Sequence, residues 1–343
     1  MGSETDTLEP LDASVKPITL REGINRALAD ALADDSRVLV FGEDVADKEE
    51  GGILGVTKGL SGRFGDERVR STPIFEQAIM GAAIGVSLRG YRPVAEIMLM
   101  NFTTVAMDMI VNHAAKLRFM SGGQIHVPIV IRTMTGSGFA NGGQHSDYLE
   151  GWFAHTAGMK VVCPSSPADA YGLLRSAIED PDPVMFIENL LSYTLQGPAP
   201  EPGLRVPIGK GRVVREGSDI TIVTYARMVQ ESEKAANVLA AEGISAQVID
   251  LRSIQPWDRD LALSSVERTG RALVVHEAAL PFGPAGEISS AIHEALFRSL
   301  KGPVGRLGGA FCPVPFSRPL EAAFAPHAEG IAGKVRDMLF AET

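Results

Sequence analysis

Three side chains in this sequence have the type and setting to move protons. Glu76 stands in Ser71-Thr72-Pro73-Ile74-Phe75-Glu76-Gln77-Ala78-Ile79-Met80-Gly81, where a strand gives way to a helix of small residues. Thr72 has the side chain to cap that helix, and Pro73 has the fixed φ of a first helical position. Gly81, Ala82, Ala83 and Gly85 then leave a face on which something can pack very closely. On these residues alone, Glu76 is a first-turn acid that complements the helix dipole. His145 lies in Gly142-Gly143-Gln144-His145-Ser146-Asp147. An imidazole that titrates near neutral pH can trade protons with a carbonyl or an acyl acceptor, and a carboxylate two residues away can alter its basicity. A glycine-flanked loop histidine is otherwise simply exposed. Glu43, in Phe41-Gly42-Glu43-Asp44-Val45, reads as a strand-end acid facing water. Gly136-Ser137-Gly138 faintly suggests a dinucleotide loop. Asn141 stands where its third glycine belongs and no acid follows in the expected βαβ context, so NAD binding by this chain is not expected.

Those residues need elements to hold them. Short β-branched runs alternate with amphipathic stretches, the signature of a parallel sheet covered by helices. Candidate strands are Val38–Phe41, Pro93–Met98, Pro128–Thr133, Lys160–Cys163 and Val184–Glu188, with candidate helices Leu20–Ala33, Glu76–Leu88, Thr103–Met120 and Pro167–Ile178. From Leu190 to Val206 the chain carries Pro198, Pro200 and Pro202, which predicts an extended surface linker. A second alternating unit follows, with strands Ile220–Thr224, Ala246–Asp250 and Ala272–His276 and helices Val229–Ala241, Asp258–Glu267 and Ala285–Ser299. The expected plan is an α/β protein of two parallel-sheet domains, 18–190 and 208–343, joined by a linker at 191–207 and preceded by a polar, flexible tail over 1–17. In open parallel sheets ligands sit at the carboxyl ends of strands, and Glu43, Glu76, Met98 and His145 all follow candidate strand ends or lie in the loops after them.

Composition narrows the class. With 343 residues, 45% of them hydrophobic, the chain can build two ordinary cores. A net charge of −10 argues against nucleic-acid binding, which needs clustered cations. Cys163 and Cys312 lie far apart in no metal-ligand spacing and read as reduced, buried thiols. The acidic first seventeen residues resemble neither a signal nor a transit peptide, and the apolar runs are too short and broken to span a membrane. A cytoplasmic protein is expected.

Taken in order, the motifs resemble those of the β subunit of thiamine-diphosphate-dependent 2-oxo acid dehydrogenase E1 components, the pyruvate, branched-chain and acetoin dehydrogenase family. The resemblance rests on Phe41-Gly42-Glu43-Asp44-Val45, Thr72-Pro73-Ile74 with Glu76, Arg92-Pro93 with Glu96 and Asn101-Phe102, Met120-Ser121-Gly122-Gly123, Val127-Pro128-Ile129-Val130, Gln144-His145-Ser146 and Pro207-Ile208-Gly209-Lys210. It implies a transketolase-like pyrimidine-binding domain followed by a transketolase C-terminal-like domain. It also implies thiamine diphosphate as cofactor. Glu76 would serve the ring nitrogen N1′ of its aminopyrimidine, Glu43 would support the proton network, and Met98 and Phe102 would line the ring. His145 would stand at the entrance and help pass the acyl group to the lipoyl arm of an E2 partner. A structural potassium ion is implied at Ile129, Ala177, Asp180 and Asp182, with Asp182 in place of a common Asn.

No Gly-Asp-Gly motif for the diphosphate-bound metal occurs in the sequence. The resemblance therefore implies an α subunit that supplies the Mg2+ and diphosphate contacts in an α2β2 heterotetramer, with this chain silent alone. Gly51-Gly52-Ile53-Leu54-Gly55-Val56-Thr57-Lys58-Gly59-Leu60 and Val130-Ile131-Arg132-Thr133-Met134 look closest to acetoin dehydrogenase β subunits. Three departures stand out: Gly142-Gly143 for the usual Ala-Ala, Asp147 for Gln, and Phe311 for Asp. They leave open a two-component transketolase-like carboligase, which would use an aldehyde acceptor without a lipoyl partner, and a non-catalytic scaffold subunit. Much of the substrate pocket would come from the α subunit, with Asp147, Tyr148 and Trp152 near the entrance.

Overall fold

The protein is described by a computed structural model covering residues 16–340, so all but the last two residues of the expected tail lie outside the described residues. The first half runs β1 (Ile18–Thr19), α1 (Leu20–Asp34), β2 (Val38–Gly42), α2 (Leu60–Phe64), β3 (Val69–Ser71), α3 (Glu76–Ser87), β4 (Arg92–Leu99), α4 (Leu117–Met120), β5 (Val130–Thr135), α5 (Glu150–Ala154), β6 (Lys160–Val162), α6 (Pro167–Glu179), β7 (Val184–Asn189) and β8 (Gln196–Gly197). The second half runs β9 (Arg212–Arg215), β10 (Ile220–Thr224), α7 (Met228–Ala241), β11 (Ala246–Asp250), β12 (Ser253–Gln255), α8 (Arg259–Thr269), β13 (Ala272–Ala279), α9 (Pro284–Leu296), β14 (Gly305–Gly309), α10 (Arg318–Ala322) and α11 (Ala328–Phe340).

Two sheets result. The first has seven strands in the order β12-β6-β7-β5-β4-β2-β3, parallel except for β12, which pairs antiparallel with β6. The second has the order β14-β13-β10-β11-β9, with β9 antiparallel. β12 follows the linker in sequence yet completes the first sheet. Every residue of β5 and β7 is buried, polar ones included, as befits central parallel strands covered on both faces.

On one face α1 packs against α6, closely enough that a Cβ on Gly23 would lie 2.5 Å from the Pro167 carbonyl oxygen. Thr19 and Glu22 form a capping box on α1, and Ser166 caps α6 with Pro167 in its first turn. On the other face one core runs through the seam between the sheets, joining Ile79, Ile97 and Phe153 to Tyr225, Ile249 and Ala285. The two units thus share apolar interior. The proline-rich stretch is tied down: β8 pairs with β1, and Val206 N–H donates to the Gly172 carbonyl.

Three expectations need correction. The single helix expected over Thr103–Met120 is a 3-10 turn at Met100–Ala106, a π-helical turn at Met109–Ala114 and the short α4. Thr103 and Thr104 donate their hydroxyls to the carbonyls of Met100 and Asn101, at 2.6 and 2.7 Å, which favours the tighter winding. Second, Thr72 and Pro73 do not begin α3. Thr72 N–H still pairs with the Gly42 carbonyl as an extension of β3, its hydroxyl donates to the Pro73 carbonyl, and Phe75 occupies the cap position. Third, Cys163 is buried but Cys312 is exposed, because it lies in the irregular segment after β14. This chain covers the small residues of α3 unevenly: Ala83 is fully buried in the core, whereas a Cβ on Gly85 would meet nothing within 4 Å and one on Gly81 only Met109 Sδ. Among the described residues no helix is long and apolar enough to cross a membrane.

Candidate active site

Gly42, the last residue of β2, lies between Ser71 of β3 and Glu96 of β4, and a Cβ there would stand 2.5 Å from the Glu96 carbonyl oxygen. Glycine at this point lets the strands close and delivers Glu43 to the carboxyl edge of the sheet. Glu76 reaches the same edge as the first residue of α3. Both acids are buried, at 7% and 8% exposure. Glu43 Oε1 has no hydrogen-bond partner. Burial, followed by the charges of Glu76, Asp44 and Glu96, pushes the Glu43 carboxyl above its ordinary range.

One strand further in, buried charge is fully paired. Arg132 of β5 donates Nη1 to Glu96 at 2.6 Å and grips Glu188 of β7 with Nε and Nη2 at 2.6 and 2.9 Å. Tyr193 donates its hydroxyl to the same Glu188 carboxylate. Burial alone would weaken the guanidinium's hold on its proton, but Glu188 and Glu96 more than offset that and raise it.

Met98, half-buried at the end of β4, packs against the core that contains Leu99 and Met134. Phe102, in the turn that follows, meets His145 edge to face, with ring centroids 5.4 Å apart and planes at 87°. The structure therefore brings Phe102 and His145 together, and places Glu43 within the influence of Glu76. An unpartnered buried carboxylate oxygen suits the polar edge of an aminopyrimidine ring.

The loop after β5 explains the faint glycine pattern. Its backbone does bind anions, but they are carboxylates of this chain's second half. Ser137 N–H and Oγ both donate to Glu277 Oε1 at 2.8 Å, while Gly138 and Ala140 N–H groups donate to Glu321 at 2.7 and 2.9 Å. Asn189 Nδ2 donates to the other Glu277 oxygen at 3.0 Å. The glycines before His145 have a packing cause as well. Gly142 has φ +73°, and a Cβ on it would strike the Phe316 ring; one on Gly143 would press on Pro313. A cavity of about 260 Å3 opens beside this loop, lined in part by Asp147, Tyr148, Trp152, Phe282, Phe311 and Cys312. Beneath it Glu150 is fully buried, accepts the Tyr225 hydroxyl at 2.6 Å, and is pushed up to about 7, chiefly by burial.

The residues expected to hold potassium also meet donors of this chain. The carbonyls of Ile129 and Ala177 accept the N–H groups of Val184 and Asp180. The Asp180 carboxylate faces Lys160 Nζ at 2.6 Å, and Asp182 pairs with Arg118 at 2.6 Å. Their charge is met by this chain's own cations. Among the described residues no group of three or more His, Cys, Asp or Glu is placed to hold a metal ion.

Residues 16–194 match the transketolase pyrimidine-binding domain and residues 209–331 the transketolase C-terminal domain. The acetoin:2,6-dichlorophenolindophenol oxidoreductase β subunit of Cupriavidus necator is 44% identical over 94% of this chain and 97% of that one. This chain belongs to the E1 β-subunit family. Another relative in that family, the mitochondrial pyruvate dehydrogenase E1 component subunit β-2 of Oryza sativa, is 41% identical over 96% of this chain and 88% of its own. The E1 β fold is shared with a split-gene transketolase solved as an inactive β4 tetramer, at a TM-score of 0.73 and 24% identity, covering 94% of this chain and 99% of that one. Both halves thus belong to transketolase domain families, the full-length relatives are dehydrogenase subunits, and the likeness to the solved split-gene transketolase is one of fold.

Proposed function

We propose that this chain is the pyrimidine-binding half of a two-chain thiamine-diphosphate enzyme that oxidises a 2-oxo acid or acetoin and passes the acyl group to a lipoyl-bearing E2. The observation that carries the reading is the pair of buried acids, Glu43 and Glu76, with one carboxylate oxygen left unpartnered at the carboxyl edge of a parallel sheet. When bound, thiamine diphosphate supplies the carbanionic carbon that attacks the substrate carbonyl. Glu76 would meet the pyrimidine nitrogen N1′ with its carboxyl and pass a proton there. Glu43, its own proton affinity raised, completes that network. Met98 and Phe102 exclude water from the ring, and His145 exchanges a proton with substrate or acceptor at the entrance.

The diphosphate and its Mg2+ would be held by an α subunit, in an α2β2 assembly within the cytoplasm. The face of α3 supports such a partner: Ile74, Phe75 and Leu88 are exposed at 79%, 55% and 47%, flanking the uncovered Gly81 and Gly85. A potassium ion at the Ala177–Asp182 turn would rest on the second lone pairs of carbonyl oxygens, since the carboxylates there are paired with Lys160 and Arg118.

The test is co-expression with the α subunit, followed by oxidation assays with 2,6-dichlorophenolindophenol. Pyruvate, branched-chain 2-oxo acids and acetoin are run in parallel, with thiamine diphosphate and Mg2+ added or withheld. Cofactor-dependent oxidation of one substrate is expected. A complex that binds the cofactor and oxidises none of them, yet joins a ketose donor to an aldehyde, would overturn the reading.

A further inference from the structure

The turn after β4 presents two consecutive side chains to the His145 loop, and only the aromatic one belongs to the ring-lining set. Phe102 meets the imidazole. Asn101, beside it, touches the loop at both ends. Its Nδ2 donates to the Gly143 carbonyl at 3.0 Å and to Asp147 Oδ2 at 2.9 Å, and its Oδ1 accepts the Asp147 N–H at 3.2 Å. These three contacts bracket Gln144-His145-Ser146. Thr135, at the end of β5, anchors the far side by donating its hydroxyl to the Asp147 carbonyl at 2.6 Å. The His145 N–H closes the near side onto the Gly142 carbonyl at 3.2 Å.

We propose that Asn101 is a positioning residue for His145: it clasps the loop at Gly143 and Asp147 so that the imidazole stays set against Phe102. The inference rests on the reading that His145 acts at the entrance. Its physical ground is the loop's own composition. Gly142 has φ +73°, a backbone setting that favours glycine, Gly143 lies close under Pro313, and glycine leaves the backbone free to wander. An unrestrained loop would spread the imidazole over many positions. A carboxamide is the side chain that can restrain it here, because the contacts need two N–H donors and one acceptor together. An aspartate at 101 would set two carboxylates against each other, and an alanine would leave the part-buried Asp147 carboxylate without its donor.

The test uses the reconstituted α–β complex with whichever substrate it oxidises. Two acceptors are compared: dichlorophenolindophenol and free lipoamide. Wild type is set beside His145→Ala, Asn101→Ala, Asn101→Asp and the reciprocal pair Asn101→Asp with Asp147→Asn. Lipoamide turnover should fall in His145→Ala. If it does not, the histidine reading fails and Asn101 has nothing to position. Given that fall, Asn101→Ala should lower kcat with lipoamide roughly 10- to 100-fold at unchanged KM for the oxidised substrate, the size expected when a reacting group is misplaced by about 1 Å. Hydrogen exchange in the 142–149 segment should quicken in the same complex. Asn101→Asp should be worse than Asn101→Ala, and the reciprocal pair should recover part of the loss by restoring one N–H donor opposite a carboxylate. The inference is overturned if Asn101→Ala stays within twofold of wild type while His145→Ala is impaired. It is equally overturned if single and reciprocal variants lose lipoamide turnover, dye reduction and subunit assembly to the same degree.

Discussion

On the first sheet Glu96 and Glu188 hold Arg132 between them, whereas Glu43 and Glu76, at the edge one strand further out, share no cation among the described residues. Both groups are buried. The first is what a stable interior does with charge: every carboxylate has its donor, and a bidentate guanidinium fixes the geometry. The second is what a stable interior avoids, because like charges near one another and an unpartnered oxygen both cost free energy. The same scaffold that satisfies three charges leaves an oxygen of Glu43 without a partner at the carboxyl edge of the sheet. That contrast separates charge that holds the fold from charge kept for a ligand, and it can be tested from both sides.

The largest expected effect is on turnover. Glu76→Ala should abolish thiamine-dependent oxidation by the α–β complex, a loss on the order of 10^3-fold or about 4 kcal/mol in the barrier, with assembly kept on size-exclusion chromatography. Turnover near wild type would remove Glu76 from the chemistry. Next comes the paired group: Arg132→Met strands two buried carboxylates and should destabilise the chain by about 3–5 kcal/mol in denaturant titration. If the chain tolerates it, the network is not structural.

The seam supplies a pH test. Glu150 in the fold is lifted from 4.5 to about 7 by burial, so its contribution to stability is present below about pH 4.5 and is lost as pH rises through about 7. Glu150→Gln keeps an oxygen for the Tyr225 hydroxyl. It should therefore raise stability above pH 7 by at most about 3 kcal/mol and leave it unchanged at pH 4. Equal unfolding midpoints for the two proteins at pH 8 would contradict this. The smallest effect belongs to Glu43→Gln. Turnover should drop by about tenfold, less than for Glu76, since Glu43 supports the network without meeting the ring nitrogen. Stability at neutral pH should rise, because the raised proton affinity of Glu43 marks its charged form as disfavoured in the fold.

Much of this was readable from residue order. The short β-branched runs that become β2, β4, β5 and β7, and the amphipathic stretches that become α1 and α6, announce themselves through their period. Where the reading failed, longer-range forces decided. Threonine hydroxyls turned back onto the chain wind Met100–Ala106 too tightly for an α-helix, and a pairing partner more than ninety residues away makes a strand of Ser253–Gln255. For the site, local chemistry reads Glu76 as a dipole-complementing acid and His145 as an exposed loop residue; family resemblance assigned them roles. The contact between Phe102 and His145 could not be seen in a linear pattern. Nor could Arg132's two carboxylates, which depend on strand register, or the Glu277 and Glu321 carboxylates that fill the glycine loop from 140 and 183 residues downstream.

β12 has a consequence for how the chain is made. The β6 edge of the first sheet keeps its backbone groups unpaired until Gln255 has left the ribosome, after the whole linker and the first strands of the second sheet. During that interval the nascent chain carries an open edge beside an apolar face that the second half has yet to cover. The first sheet is therefore completed only after β10 and β11 of the second have been made.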